Sequence, residues 1–494
     1  MADFVTWLNG IIWSPPLVIL ALAAGIYFSI MTRFLQLRHL RGMWDHLFTH
    51  DRSSQGLSSF QAFALAVSGR VGTGNIAGVA TAIALGGPGA LFWMWVIAFV
   101  GAGSAYVEAT LAQIYKREID GEFRGGPSYY IEHGLGVKWF AILFSVAMLL
   151  ATGLFLPGVQ ANSIVAATET AFSIPPLWMG GVLAVLMALI IFGGVHRIGR
   201  TAQFIVPVMA VGYVLVALVV IAFHITEIPA IFSLIFRSAF AADATFGGLI
   251  GMAVSWGVKR GIYSNEAGQG TAPMAAATAV VDHPAKQGLV QAFSVYFDTW
   301  LVCSATGFMI LMSGLYNVEI PGGGGYLVEN LPGVEIGPGY TQSAVDSVMP
   351  GFGSAFVAIA LFFFAFTTMM AYYYYAETNI AYLIKNPAVR KVAILATRFV
   401  FLGIIVYSST RTAATAWAMG DVGVGLTAWL NFIAILLLRK PALECLKDYE
   451  RQRAAGQEPV YSPTALGHHN ATYWVELEAS EADDTAVEEA SAAG

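Results

Sequence analysis

Charged residues are scarce in this chain: Asp, Glu, Lys and Arg make up 11% of its 494 residues, where a soluble domain carries about 25%. That shortage excludes an ordinary water-soluble fold, and no nucleic-acid partner is expected at a net charge of −6. Cysteine is nearly absent. Of the two, Cys303 lies in an apolar run and Cys445 in a polar tail, so no disulfide is expected. HExxH, GxSxG, CxxC and the P-loop are missing, and the histidines sit mainly in loops and tail. These absences argue against a membrane-embedded enzyme and against ATP drive, and no cofactor is expected. Alternating segments of about ten residues, the mark of a membrane barrel, are missing too.

What the chain has in quantity is apolar length. Hydrophobic residues make up 57%, the mean hydropathy is +0.66, and the runs are about 20 residues long, as bilayer-spanning helices require. Eleven candidate spans lie near 15–33, 58–85, 89–115, 138–168, 176–195, 201–224, 246–265, 287–313, 351–384, 393–409 and 412–438. One set of connecting loops holds Arg33, Arg38, Arg41, Arg52, Lys116, Arg117, Arg124, Arg197, Arg200, Lys385, Arg390, Lys391, Arg439 and Lys440, and the other holds only Arg237 and Arg411. The basic set marks the cytoplasmic face. The N-terminus is then outside, the C-terminus inside, and the loop at 314–350 is a candidate external lid. A multi-pass plasma (inner) membrane protein is expected. The first apolar run lacks a basic n-region and reads as a retained helix rather than a signal peptide. Residues 439–494 read as a cytoplasmic acidic tail, expected to be disordered because few apolar residues occur in its acidic end.

Two spans are interrupted. Span two carries SGRVGTGNIAG and span seven carries MAVSWGVKRG, five spans apart. Freed backbone inside a bilayer is tolerated only against protein, ion or water. Broken helices at matching places in two halves point to an inverted-repeat transporter with a midplane site. The organisation read here is an extra N-terminal helix and loop at 1–57, a first five-helix repeat at 58–224, an extracellular connection at 225–245, a second repeat at 246–438, and the tail. For a small zwitterion, the amides and polar side chains of Thr73, Gly74 and Asn75 suit the carboxylate, with Gly72 allowing close approach. Free carbonyls near Val254, Ser255, Trp256 and Gly257 would take the ammonium. Arg70 is expected to find Asp298, Glu108 or Glu266 as partner. Asn162 faces either the pocket or a neighbouring helix, and Phe92, Trp93 and Trp95 read as an interface belt or helix packing.

The run GGPGALFWMWVIAFVG at 86–101, with VGTGNIAGVATAI, GGPSYYIEHGLG, QANSI, KRGIYSNEAGQGTAP and DTWLVCSAT, resembles the alanine/glycine:cation symporter family, also called sodium:alanine symporters, over about residues 15–440. The resemblance implies an all-α, leucine-transporter-like 5+5 inverted repeat, a small neutral amino acid as substrate, and sodium as coupling ion. It further implies a cation site formed by carbonyls of Gly69 and Val71 and hydroxyls of Thr367 and Thr368. The competing reading is that each threonine bonds its own helix at i−4. Two departures stand out. Ala371-Tyr372 replaces an expected Gly-Trp pair, placing Tyr372 against the substrate, and Leu430 replaces a proline before Asn431. The function expected is sodium-driven import of alanine or glycine, with proton coupling or a non-transporting sensor as alternatives. No oligomeric state is implied.

Overall fold

The computed structural model describes residues 2–48, 56–240 and 249–480. It is helical almost throughout. Helices α1 (Ala2–Ile12) and α2 (Pro15–Met31) precede a first interrupted span, α3 (Ser59–Arg70) and α4 (Val79–Gly86). Then come α5 (Gly89–Ile114), α6 (Lys138–Phe172), α7 (Pro176–Ile191), α8 (Gly194–Phe223) and α9 (Ile228–Ala239). A second interrupted pair, α10 (Ile250–Asn265) and α11 (Ala272–Ala277), leads to α12 (Pro284–Ser313), α13 (Pro338–Asp346), α14 (Gly353–Leu383), α15 (Pro387–Ser409), α16 (Ala413–Leu437) and α17 (Arg439–Ala454). Two small antiparallel hairpins, 117–124 and 317–329, decorate the loops.

Among the described residues, seven helices are long and apolar enough to cross a membrane: α5, α6, α8, α12, α14, α15 and α16. The other expected spans fall on the shorter helices α2 and α7 and on the two interrupted pairs. The chain is an all-helical, multi-span membrane protein.

Local sequence explains the key boundaries. Ser58 and Gln61 form a reciprocal capping box that starts α3. Asn386 accepts from the Ala388 and Val389 amides to start α15. The aromatic run at 92–95 is packing: Phe92 meets Phe236 and Phe240, and the Trp95 indole donates to Ser304 at 2.8 Å. Asn162 turns to a neighbouring helix, donating to the Arg411 carbonyl at 2.6 Å.

The tail corrects an expectation. Residues 439–480 are ordered; the remainder of the acidic end, 481–494, lies outside the described residues. Several apolar groups of the described part are buried, among them Leu446, Tyr449, Tyr461 and Trp474. Trp474 donates to the Gln113 carbonyl at 2.8 Å, and the Lys116 ammonium lies 4.5–4.9 Å from the rings of Phe123, Tyr473 and Trp474. Lys286 pairs with Glu458 at 2.7 Å, and His283 meets Asp448 at 3.3 Å. Composition hides such a segment because a handful of aromatic anchors suffices when the rest of the protein supplies the surface.

His46 sits at this junction, bonded to the Tyr449 hydroxyl at 2.6 Å. Burial, with Lys286 and Arg453 nearby, pushes its imidazole down to about 4. A folded value below the unfolded one of about 6.5 means stability present above that pH is lost as pH falls. The unfolding temperature is therefore expected to drop from pH 7 to pH 5. His46→Gln should flatten that drop, which a thermal-shift pH series would measure.

Candidate functional site

The site is built where the two interrupted spans face each other. After Arg70 the chain leaves the helix at Val71 and Gly72 and re-enters through a wide turn at Gly74–Gly78. The freed amides are taken up by side chains: Gly72 donates to Asn75 Oδ1 at 2.9 Å and Thr73 donates to Gln160 Oε1 at 3.0 Å. The buried Thr73 hydroxyl has no hydrogen-bond partner among the described residues. A Cβ at Gly72 would press on the Thr368 hydroxyl and lie 3.0 Å from Gln160 Oε1, so the approach of α14 requires glycine there.

The second break is not where the sequence reading put it. Ser255, Trp256 and Gly257 lie inside the continuous helix α10, with their backbone committed to helix bonds. Gly257 is a packing glycine, since a Cβ there would lie 2.5 Å from the Ala90 carbonyl of α5. Trp256 lines a vestibule beside the 314–350 loop instead. The chain breaks at 266–271, where Glu266, Gly268 and Gly270 adopt φ of +55°, +80° and +88°. The sequence carries this break in its NEAGQG stretch, downstream of the Gly-interrupted MAVSWGVKRG.

Glu108 of α5 holds this second break open. Its carboxylate accepts from the Gly268 and Gly270 amides at 3.1 and 3.2 Å and from Asn431 Nδ2 at 2.8 Å. Asn431 in turn donates to the Gly268 carbonyl at 3.0 Å and accepts from Tyr130. Between the breaks, Asp298 accepts from Asn75 at 2.7 Å and from Ser264 and Thr299 at 2.8 Å each. Glu266 differs from both acids. It is fully buried, and among the described residues its carboxylate is approached by the hydroxyls of Tyr372 and Thr271, with no well-aligned hydrogen bond to either. The Tyr372 hydroxyl lies beside it. Arg70 forms no ion pair with Asp298, Glu108 or Glu266; it donates to the Gln291 carbonyl at 3.1 Å and to Ser294.

The two threonines of α14 part company. Thr368 Oγ1 reaches the carbonyls of Ser68 at 2.8 Å, Val71 at 3.4 Å and its own helix's Phe364 at 3.0 Å. That gathers one hydroxyl and three carbonyl oxygens, the donor set a hard cation prefers. Thr367 instead bonds the Phe363 and Phe364 carbonyls at 3.0 Å and faces Met209. It makes the i−4 bond of an ordinary membrane threonine. At Gly69 the side toward its missing side chain meets Tyr375 and Glu266, and Ser68 is the residue whose carbonyl Thr368 reaches. Gln160, Ser264, Ser68 and Glu108 are members that sequence reasoning did not assign to the site.

The centre is shut from both faces: Thr73, Asn75, Glu266, Asp298 and Thr368 are all buried. On the side of the 314–350 loop, a vestibule of about 570 Å³ ends at Asp421. That carboxylate pairs with Lys259 at 2.7 Å and Arg260 at 2.8 Å. The Arg260 guanidinium stacks 4.5 Å over Trp417, which packs on Tyr263. This plug abuts the first break, since a Cβ at Gly78 would lie 3.8 Å from Trp417 and 3.9 Å from Arg260.

The fold matches that of a manganese transporter from Eremococcus coleocola, with a TM-score of 0.54 at 12% identity over 86% of this chain and 94% of that one. In sequence the chain is 61% identical to a putative sodium/proton-dependent alanine carrier protein of Bacillus subtilis, covering 96% and 98% of the two chains. It is 54% identical to a sodium/proton-dependent alanine carrier protein of Bacillus sp. strain PS3 (87% and 96%), and 40% identical to a sodium/alanine symporter of Methanococcus maripaludis (88% and 95%). The family model matches residues 1–463. A chain matched over that length, with relatives this similar across nearly their whole lengths, belongs to the sodium:alanine symporter family.

Proposed function

We propose that the protein imports alanine with sodium, by alternating access around the centre between the two broken spans. The carrying observation is the oxygen cluster of Thr368, Ser68 and Val71, which joins the first break to α14. A sodium ion there would take the two carbonyls and the Thr368 lone pair, while the hydroxyl proton turns to Phe364. Binding the ion would thus lock α3 to α14. The reading keeps eleven spans, a 5+5 inverted repeat after one extra helix, an outside N-terminus and a cytoplasmic α17. It is supported by the basic loops and by the paired breaks.

Within this reading the amino acid lies against Gly72–Asn75. Its carboxylate exchanges with Gln160 and Asn75 for the Thr73 and Gly72 amides, and the Thr73 hydroxyl gains a partner. The ammonium lies toward the second break, where the buried Glu266 carboxylate has acceptor capacity beyond the neighbouring Tyr372 and Thr271 hydroxyls; this replaces the expected role of 254–257. Tyr372 closes the pocket wall. The Asp421–Arg260 plug is the external gate. The driving force is sufficient: 100 mV supplies about 2.3 kcal/mol per charge and a tenfold sodium gradient about 1.4 kcal/mol, together supporting roughly a 500-fold alanine gradient.

Proton coupling is the second reading, favoured by the names of the two Bacillus relatives. Labelled alanine accumulation into proteoliposomes separates the two. Accumulation should require an inward sodium gradient at fixed pH. Equal accumulation in sodium-free buffer under a pH gradient would overturn sodium coupling.

A further inference from the structure

The segment after α2 carries a surface that transport does not use. Phe34, Leu37, Leu40, Trp44 and Phe48 are 44–58% exposed. They lie in and beside the short helical turns at 35–38, 40–45 and 46–48; Leu40 and Trp44 share a face of the middle turn, and Trp44 and Phe48 rest partly on Phe293 and Phe60. The other side buries Leu35, Met43 and Leu47 in the core. A segment packed on the core on one side, apolar on the outer one and flanked by arginines suits the plane of a membrane surface.

Beside this stripe is a cavity of about 320 Å³ lined by Arg38, His39, Arg41, Tyr449, Glu450 and Arg453. One anion is already there: the Glu450 carboxylate takes Arg33, Arg38 at 2.6 Å and His39 at 2.9 Å. The hydrogen bonds from His39 and Arg38 and the charges of Arg38 and Arg33 hold its carboxyl below the usual range. The remaining guanidiniums are less engaged. Arg41 meets Asp45 only at 3.9 Å with its side chain 96% exposed, and Arg453 donates to the Tyr449 hydroxyl at 3.2 Å. Three arginines line the cleft, Arg38, Arg41 and Arg453, against Glu450 and Asp45, with Arg33 on Glu450 from outside it and Glu458 near Arg453. Charge and apolar surface meet at one edge, as in a phospholipid whose phosphate sits at the membrane surface and whose tails run inward.

We propose that this cleft binds the phosphate headgroup of an acidic phospholipid through Arg41 and Arg453, with its acyl chains along the Phe34–Phe48 stripe. The site rests on the orientation given above, which puts α17 at the cytoplasmic leaflet. The bound lipid bridges the 34–48 segment to α17 and so fastens the C-terminal tail to the membrane face.

The test uses the full chain in detergent, titrated with dioleoyl-phosphatidylglycerol, dioleoyl-phosphatidylcholine or inorganic phosphate. Native mass spectrometry reads retained lipid and thermal unfolding reads stability. Phosphatidylglycerol should be retained and raise the unfolding temperature, with neither effect from the other two. Arg41→Gln/Arg453→Gln should lower its retention at least tenfold, and Arg41→Gln alone, at an exposed side chain, should lower it without loss of fold. Equal retention of both lipids, unchanged retention in the variants, or an equal shift with inorganic phosphate would each overturn the site. Sodium-driven alanine uptake by the same preparations reports on transport separately.

Discussion

Thr368→Val is expected to raise the sodium concentration that half-saturates alanine uptake by roughly tenfold or more, the equivalent of about 1.4 kcal/mol. Thr367→Val should change it by less than about twofold, since it removes only a bond of a threonine to its own helix. Valine keeps the shape of threonine, so packing of α14 against α3 is preserved. What is lost is the oxygen that faces the Ser68 and Val71 carbonyls across the first break. An interaction with a charged partner is worth about 1.5–3 kcal/mol in a buried site, which sets the scale of the effect. Sodium titrations of uptake at fixed alanine measure it. Similar sodium curves for the two variants would remove Thr368 from the ion site.

Glu108→Leu is expected to abolish uptake and to lower the unfolding temperature by several degrees. Glu108 is buried in α5 and supplies the acceptors for the Gly268 and Gly270 amides and for Asn431. Each buried donor left without an acceptor costs about 1–3 kcal/mol, and at membrane depth no water replaces it. The positive φ angles of Gly268 and Gly270 then lose the group that fixes them. Glu108→Gln keeps one acceptor oxygen and should be intermediate in both readouts. A Glu108→Leu protein with normal uptake and normal unfolding would show that the second break is held by other means.

The sequence made the first break legible because glycines at 72, 74 and 78 surround polar Thr73 and Asn75 in an otherwise apolar span, a pattern with few structural outcomes. The second break was misplaced by about ten residues. Gly257 looks the same in sequence whether it frees the backbone or lets two helices touch, and only the proximity of Ala90 decides. Glu108 and Gln160 were hidden for a different reason. Each sits among other polar residues of its helix with nothing in the local pattern to single it out, and its partners are 87 to 323 residues away. Thr367 and Thr368 could not be separated by spacing, since adjacent residues on a helix differ by about 100° in direction and the face that meets α3 is set by tertiary packing. The ordered tail was missed because Tyr449, Tyr461 and Trp474 are too few to mark a core by composition, yet each is buried against the rest of the chain.

The central claim is that sodium and alanine cross together. Radiolabelled sodium entry into proteoliposomes, measured with and without an inward alanine gradient and with no initial sodium gradient, tests it most directly. Alanine should drive sodium inward in the wild-type protein, and Thr368→Val should weaken that flux at low sodium. Alanine entry that carries no sodium with it would contradict the account.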